Sequence, residues 1–184
     1  MNITVYCGSN FGDNPHFEEA ARNLGAWIAR AGHALVYGGS SVGLMGAVSR
    51  AAIEGGAPVI GVEPAFFIEA GVAQHDLTEL IVCDTMGERK AKMIELGDAF
   101  VALPGGVGTM EEITEVMVRV HLELDVQDRC FLLNVDGFYD PFVQLLDSMV
   151  EKRFLSEAEL AKFRFPRTVA ELTAELAGLE ALPL

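Results

Sequence analysis

The feature that most constrains this chain is an alternation. Short apolar runs rich in β-formers, at residues 3–7, 34–37, 58–62, 79–83, 99–103 and 130–135, are separated by stretches of helical period. Strands joined through helices run parallel, and a parallel sheet needs both faces covered. The expected fold is therefore a doubly wound, Rossmann-like α/β domain with a mostly parallel sheet and helices on both faces. At about 100 to 200 residues per domain, the 184 residues make one domain, 1–184, and 51% hydrophobic content is ample for its core.

Helix starts agree with this reading. Asn14-Pro15 offers an N-cap followed by proline, and Thr85-x-x-Glu88, Thr109-x-x-Glu112 and Ser156-x-x-Glu159 each fit a capping box. Residues 63–75 have no clear period and read as a mobile flap over an active site, while Glu171-Leu-Thr-Ala-Glu-Leu176 belongs to a helical tail.

Charge narrows the partners. With 13 Lys+Arg against 27 Asp+Glu the net charge is −14, which repels nucleic-acid polymers and anionic membrane surfaces. Cys7, Cys83 and Cys130 lie far apart in apolar runs, without CxxC spacing, and read as buried reduced thiols. The four histidines form no i, i+4 pair, so no metal site is expected. The N-terminus enters its first strand without a basic or leader-like segment, which reads as cytoplasmic.

Ligands of open parallel sheets sit at the carboxyl ends of the strands. The loops there are Gly8-Ser9-Asn10, Gly38 to Gly43, Thr85 to Lys90, and Pro104-Gly105-Gly106-Val107-Gly108-Thr109. The last is the most informative. Its glycines, between a strand and a helix N-terminus, allow several N–H groups to converge on an anion; the plainer use is a tight turn. No G-x-G-x-x-G and no Gly-Lys pair occurs, so dinucleotide binding and Walker-type NTP hydrolysis lose support.

Helical phase, at about 100° per residue, separates the two carboxylates that follow. Ile113, Val116, Met117, Val120 and Leu124 form the apolar stripe with Glu112 on its margin, whereas Glu111 shares the opposite face with Glu115 and Arg119. Glu112 can reach a ligand in the glycine loop, or serve only as a cap. In the preceding helix Arg89 falls inside the stripe of Met86, Met93 and Leu96 with Lys90 on its border, and Glu88 and Lys92 read as an exposed pair. A core-facing arginine needs a carboxylate or a ligand. Gly39-Ser40-Ser41-Val42-Gly43 also fits the G-x-S-x-G of a nucleophile elbow, leaving a serine hydrolase at Ser41 as an alternative.

Met86-Gly-Glu-Arg89-Lys90 followed by Leu103-Pro-Gly-Gly-Val-Gly-Thr-Met-Glu-Glu112 resembles the paired signature of the LOG (Lonely Guy) family, once labelled possible lysine decarboxylases. Val5-Tyr-Cys-Gly-Ser9, Val36-Tyr-Gly-Gly39, Gly43-Leu-Met-Gly46 and Leu133-Asn-Val-Asp-Gly137 extend the resemblance over residues 3–155. It implies hydrolysis of the N-glycosidic bond of an adenine-type nucleoside 5'-monophosphate by a homodimer without a cofactor. It further implies catalytic roles for Arg89 and Glu112, and substrate contacts from Gly8, Ser9, Gly39, Met86, Lys90, Pro104, Gly105, Gly106, Val107, Gly108 and Thr109, the glycine loop holding phosphate.

The chain departs from the family pattern at Ser40, at Gly87 and at Arg119-Val-His-Leu-Glu123, which bears on the base pocket. Decarboxylation is discounted, because the chain is short for the usual pyridoxal-phosphate folds and no lysine has a recognisable cofactor setting. A non-catalytic nucleotide-binding or sensor module remains the other alternative.

Overall fold

The computed structural model describes residues 1–124, 126 and 128–180; positions 125, 127 and 181–184 of the expected domain lie outside the described residues. The strands are β1 (Asn2–Tyr6), β2 (Ala34–Tyr37), β3 (Val59–Pro64), β4 (Glu79–Cys83), β5 (Ala99–Ala102), β6 (Cys130–Leu132) and β7 (Phe163–Arg164). The helices are α1 (Pro15–Arg30), α2 (Gly43–Glu54), α3 (Ala65–Glu69), α4 (Met86–Leu96), α5 (Val107–His121), α6 (Asp140–Glu151), α7 (Glu157–Leu160) and α8 (Val169–Glu180). All strand pairs are parallel, in the order β4-β3-β2-β1-β5-β6-β7. The doubly wound α/β expectation holds.

Each strand divides its side chains between two cores, as the pleat requires. Ile3 and Val5 of β1, Leu35 and Tyr37 of β2, and Ala99 and Val101 of β5 face α1, α2 and α8. Tyr6, Val36, Phe100 and Ala102, from the same strands, face α4, α5 and α6. The three cysteines are buried and free, consistent with reduced thiols.

The chain starts in β1, winds outward to β4, then returns to place β5 on the other flank of β1. The loops after β1 and β5 consequently face one another across the switch point, where a crevice must open. Gly8 N ties them by donating to Pro104 O (3.1 Å), while Leu44 N of α2 donates to Gly8 O (3.0 Å) and Tyr139 Oη, before α6, donates to Leu103 O (2.7 Å).

Local expectations met mixed outcomes. Asn14 caps α1 with Pro15 at its start, Thr85 accepts from Glu88 N, and Ser156 and Glu159 make a full capping box. Thr109 caps nothing: α5 begins two residues earlier, with side-chain-free Gly106 as its N-cap, so the Thr109 box is corrected. Leu124 lies beyond the end of α5 and is exposed rather than in the stripe, and Lys92 pairs with Glu95 instead of Glu88. Residues 63–75 are the end of β3, the short α3 and an antiparallel bridge between Ala73 and Ser40.

Candidate active site

The switch-point crevice opens into a cavity of about 610 Å³. Its walls come from the loops after β1 (Cys7, Gly8, Ser9) and β2 (Gly38, Ser40, Val42), from Glu63 in β3, and from Phe67, Ala70 and Val72 in the segment around α3. Met45 of α2, Met86 and Arg89 of α4, Gly106, and Val107, Gly108, Thr109 and Glu112 of α5 complete it. The size suits a small organic ligand, and few polar groups converge in an otherwise apolar lining.

Arg89 is buried at 6% exposure. Its Nε donates to Val62 O (3.0 Å) and its Nη1 to Glu112 Oε1, forming an ion pair between α4 and α5. Space for the guanidinium depends on Gly38, where a Cβ would stand 2.1 Å from Nη2. Burial pushes the Glu112 carboxyl above its ordinary value, and the adjoining Arg89 charge opposes that rise. The pair is both the structural partnership that a core-facing arginine needs and a polarised group at a cavity wall.

The N-terminus of α5 lines the same cavity, and no side chain caps the helix there among the described residues. The first N–H groups of a helix have no intrahelical acceptor, and the helix dipole adds partial positive charge. Val107, Gly108 and Thr109 all line the cavity there, so the uncapped turn can receive an anion. None of Gly105, Gly106 and Gly108 has positive φ. A tight turn is therefore not what requires glycine at these positions.

The sequence-derived residues separate into groups. Gly8, Ser9, Met86, Arg89, Gly106, Val107, Gly108, Thr109 and Glu112 line the one cavity. Pro104 and Gly105 line an adjoining recess of about 270 Å³, with Phe11, Phe17 and Phe138, that shares Gly8, Ser9 and Gly106 with it. Gly39 stands one residue off the wall, at φ +83 behind Glu63, and its neighbour Gly38 takes the lining position. Lys90 is not brought to the cavity; it bridges to Glu111 and to Glu115 (3.0 Å) on the far face of α5. Glu111 is thereby accounted for outside the cavity, as helical phase required.

Ser41 is also off the wall. Its hydroxyl donates to Val72 O (3.1 Å), His75 is exposed, and His121 sits at the other end of α5 beside Glu159 (3.1 Å). No elbow is assembled. Cys7 does line the cavity, but burial pushes its thiol up and Glu112 pushes it further, which keeps it from being a thiolate nucleophile. Among the described residues no group of His, Cys, Asp and Glu could hold a metal ion, and no helix is long and apolar enough to cross a membrane.

Glu63 is the residue that sequence reasoning missed. It ends an apolar run, but a carboxylate at the carboxyl end of a parallel strand points to the ligand edge of the sheet, and that signal was available.

Comparison with known proteins places these features in context. Residues 45–176 match a family described as "Possible lysine decarboxylase". The chain is similar to the cytokinin riboside 5'-monophosphate phosphoribohydrolase LOG of Oryza sativa subsp. japonica, 45% identical over 84% of this chain and 64% of that protein, just under two thirds of its length. It is 44% identical to the cytokinin riboside 5'-monophosphate phosphoribohydrolase of Rhodococcoides fascians, over 85% of this chain and 79% of that one. Among solved structures, the molybdenum cofactor binding protein of Rippkaea orientalis superposes with a TM-score of 0.71 at 21% identity, covering 98% of this chain and 97% of that one. At that identity the likeness concerns the fold alone.

Proposed function

The chain belongs to the LOG family, that of the cytokinin riboside 5'-monophosphate phosphoribohydrolases, and on that premise we propose that it hydrolyses the N-glycosidic bond of adenine-type nucleoside 5'-monophosphates to free base and ribose 5-phosphate. One observation carries the reading: the Arg89–Glu112 ion pair and the uncapped N-terminus of α5 open into the same cavity. A phosphate needs the second, and a bond that breaks through a ribosyl cation needs the carboxylate of the first.

The 5'-phosphate accepts hydrogen bonds from the N–H groups at the start of α5. Such charge-assisted bonds are roughly twice as strong as neutral ones. Glu112 lies one turn further along the same helix, so an anchored phosphate brings the ribose toward its carboxylate. As the glycosidic bond lengthens, positive charge grows at C1', and Glu112 stabilises it and accepts a proton from the attacking water. Arg89 holds Glu112 in place and opposes its protonation by burial. Because the phosphate is remote from the bond that breaks, its binding energy serves to orient the sugar.

The expected homodimer is retained within this proposal, supported by the exposed side chains of Val118 in α5 and Leu122 just past its end. A cytoplasmic location is part of the same reading, supported by the reduced state of three buried thiols.

Incubation with a panel of nucleoside 5'-monophosphates tests the reaction. Free base and ribose 5-phosphate should appear in equal amounts; nucleotide bound without turnover would favour the sensor module instead.

A further inference from the structure

Glu63 has no task in the scheme above. Its side chain reaches the cavity wall at 1% exposure, and its Oε2 has no hydrogen-bond partner among the described residues. An unsatisfied buried carboxyl oxygen is expensive to keep. The surroundings accommodate it rather than satisfy it: Gly39 withholds a side chain whose Cβ would fall 3.0 Å from Oε2, and Arg89 spends Nε and Nη1 on Val62 O and Glu112.

The cavity therefore holds two carboxyls in different settings. Glu112 is ion-paired, and Glu63 is not. On the premise of the N-glycosidase reading, we propose that Glu63 is the general acid of the reaction, donating its proton to a purine ring nitrogen of the departing base while Glu112 serves the sugar.

A purine leaves C1' with the bonding electron pair and is a poor leaving group as an anion. A protonated carboxyl presents an O–H donor and a carbonyl acceptor side by side, which matches the N7 acceptor and N6–H donor edge of adenine. The groups around Glu63 suit it to carry the proton. Arg89 on α4 is the charge acting on it, Glu112 on α5 is neutralised by that same Arg89, and Tyr37 on β2 is kept protonated by burial. Asp76, before β4, accepts from the Gln74 amide. Burial pushes the Glu63 carboxyl up to about 7, with Arg89 opposing the rise, so that it carries its proton near neutrality and can release it.

The step balances. The C1'–N9 bond breaks with its electron pair passing to the base, the Glu63 proton goes to N7, and Glu63 is left as a carboxylate near Arg89. Water supplies OH to C1' and its remaining proton to Glu112. Transfer of that proton to Glu63 through solvent restores both carboxyls, and one water is consumed.

The test compares AMP with its N7-methylated analogue, whose base already carries positive charge and leaves without protonation. In Glu63→Gln and Glu63→Ala, kcat on AMP should fall by about 100-fold or more, as for loss of a general acid, with less than about tenfold loss on the analogue. The wild-type decline in kcat/KM, which reports the free protein, as pH rises through about 7 should disappear in both variants. Equal losses on both substrates, or undiminished turnover of AMP, would overturn the assignment, as would failure of the wild-type protein to cleave the analogue while cleaving AMP. Wild-type protein that cleaves neither would remove the hydrolase reading itself, and the inference with it. Glu63→Gln is nearly isosteric, and its thermal unfolding separates lost folding from lost chemistry.

Discussion

Alanine at Gly108 should move stability and activity in opposite directions, and alanine at Gly105 supplies the contrast. Gly108 lies inside α5, has no positive φ, and a Cβ there would meet nothing within 4 Å. Alanine in a helix is favoured over glycine by roughly 0.5–1 kcal/mol, and about 2–4 °C of Tm accompanies each kcal/mol in a chain of this length. Gly108→Ala should therefore unfold about 1–4 °C higher than wild type. Turnover should nevertheless fall. The new methyl group stands at the cavity wall beside the N–H donors, and loss of one charge-assisted hydrogen bond of about 1.5–3 kcal/mol lowers kcat/KM by roughly 10- to 100-fold. Gly105 is the control for packing. A Cβ there would lie 2.2 Å from Thr109 Oγ1 and 2.9 Å from Gly8 N, so Gly105→Ala should lose about 1–3 kcal/mol through overpacking. Thermal unfolding paired with steady-state kinetics on AMP reads both quantities. A Gly108→Ala protein with wild-type kcat/KM would mean that no ligand occupies the space, and the phosphate-loop argument would fail.

Glu112→Ala should abolish turnover while Glu111→Ala keeps most of it, since Glu111 is engaged with Lys90 outside the cavity; similar losses in two folded variants would contradict the phase assignment. Ser41→Ala should retain hydrolysis because its hydroxyl is spent on Val72 O, and a stoichiometric adduct of a serine-directed inhibitor at Ser41 would say otherwise. Stability should fall as pH rises from 4.5 toward about 7, because the folded chain holds the Glu63 proton across a range where the unfolded chain has released it. The contribution is complete below the lower value and lost above the upper one; urea unfolding of Glu63→Gln should lack that decline, and a profile identical to wild type would refute it.

Periodicity and spacing carried most of the fold. β-rich runs placed the first six strands to within a few residues, most plainly β2 and β5, whose side chains are buried on both faces and apolar throughout. The two-residue β7 has too little length to show a period. Helical phase separated Glu112 from Glu111 correctly because α5 is regular through both, and it placed Arg89 inside. It failed at boundaries. Gly106 caps α5 without a side chain, so the capping pattern fastened on Thr109 instead. Lys90 sits on the border of the α4 stripe, where a small rotation decides between cavity and flank, and the carboxylates of Glu111 and Glu115 draw it to the flank. The strand-end position of Glu63 could be read from the sequence, but its lack of a partner could not, because that depends on Arg89 and Gly39, brought to it from distant parts of the sequence by the sheet.

The most direct measurement of the central claim is the ratio of kcat/KM for AMP to that for adenosine in the unmodified protein, with base release as the readout. If the start of α5 grips a 5'-phosphate and spends its binding energy on orienting the ribose, the ratio should be about 100 or more, with kcat as well as KM affected. Equal kcat/KM for the two would contradict the account, reducing the glycine loop to a connection between β5 and α5.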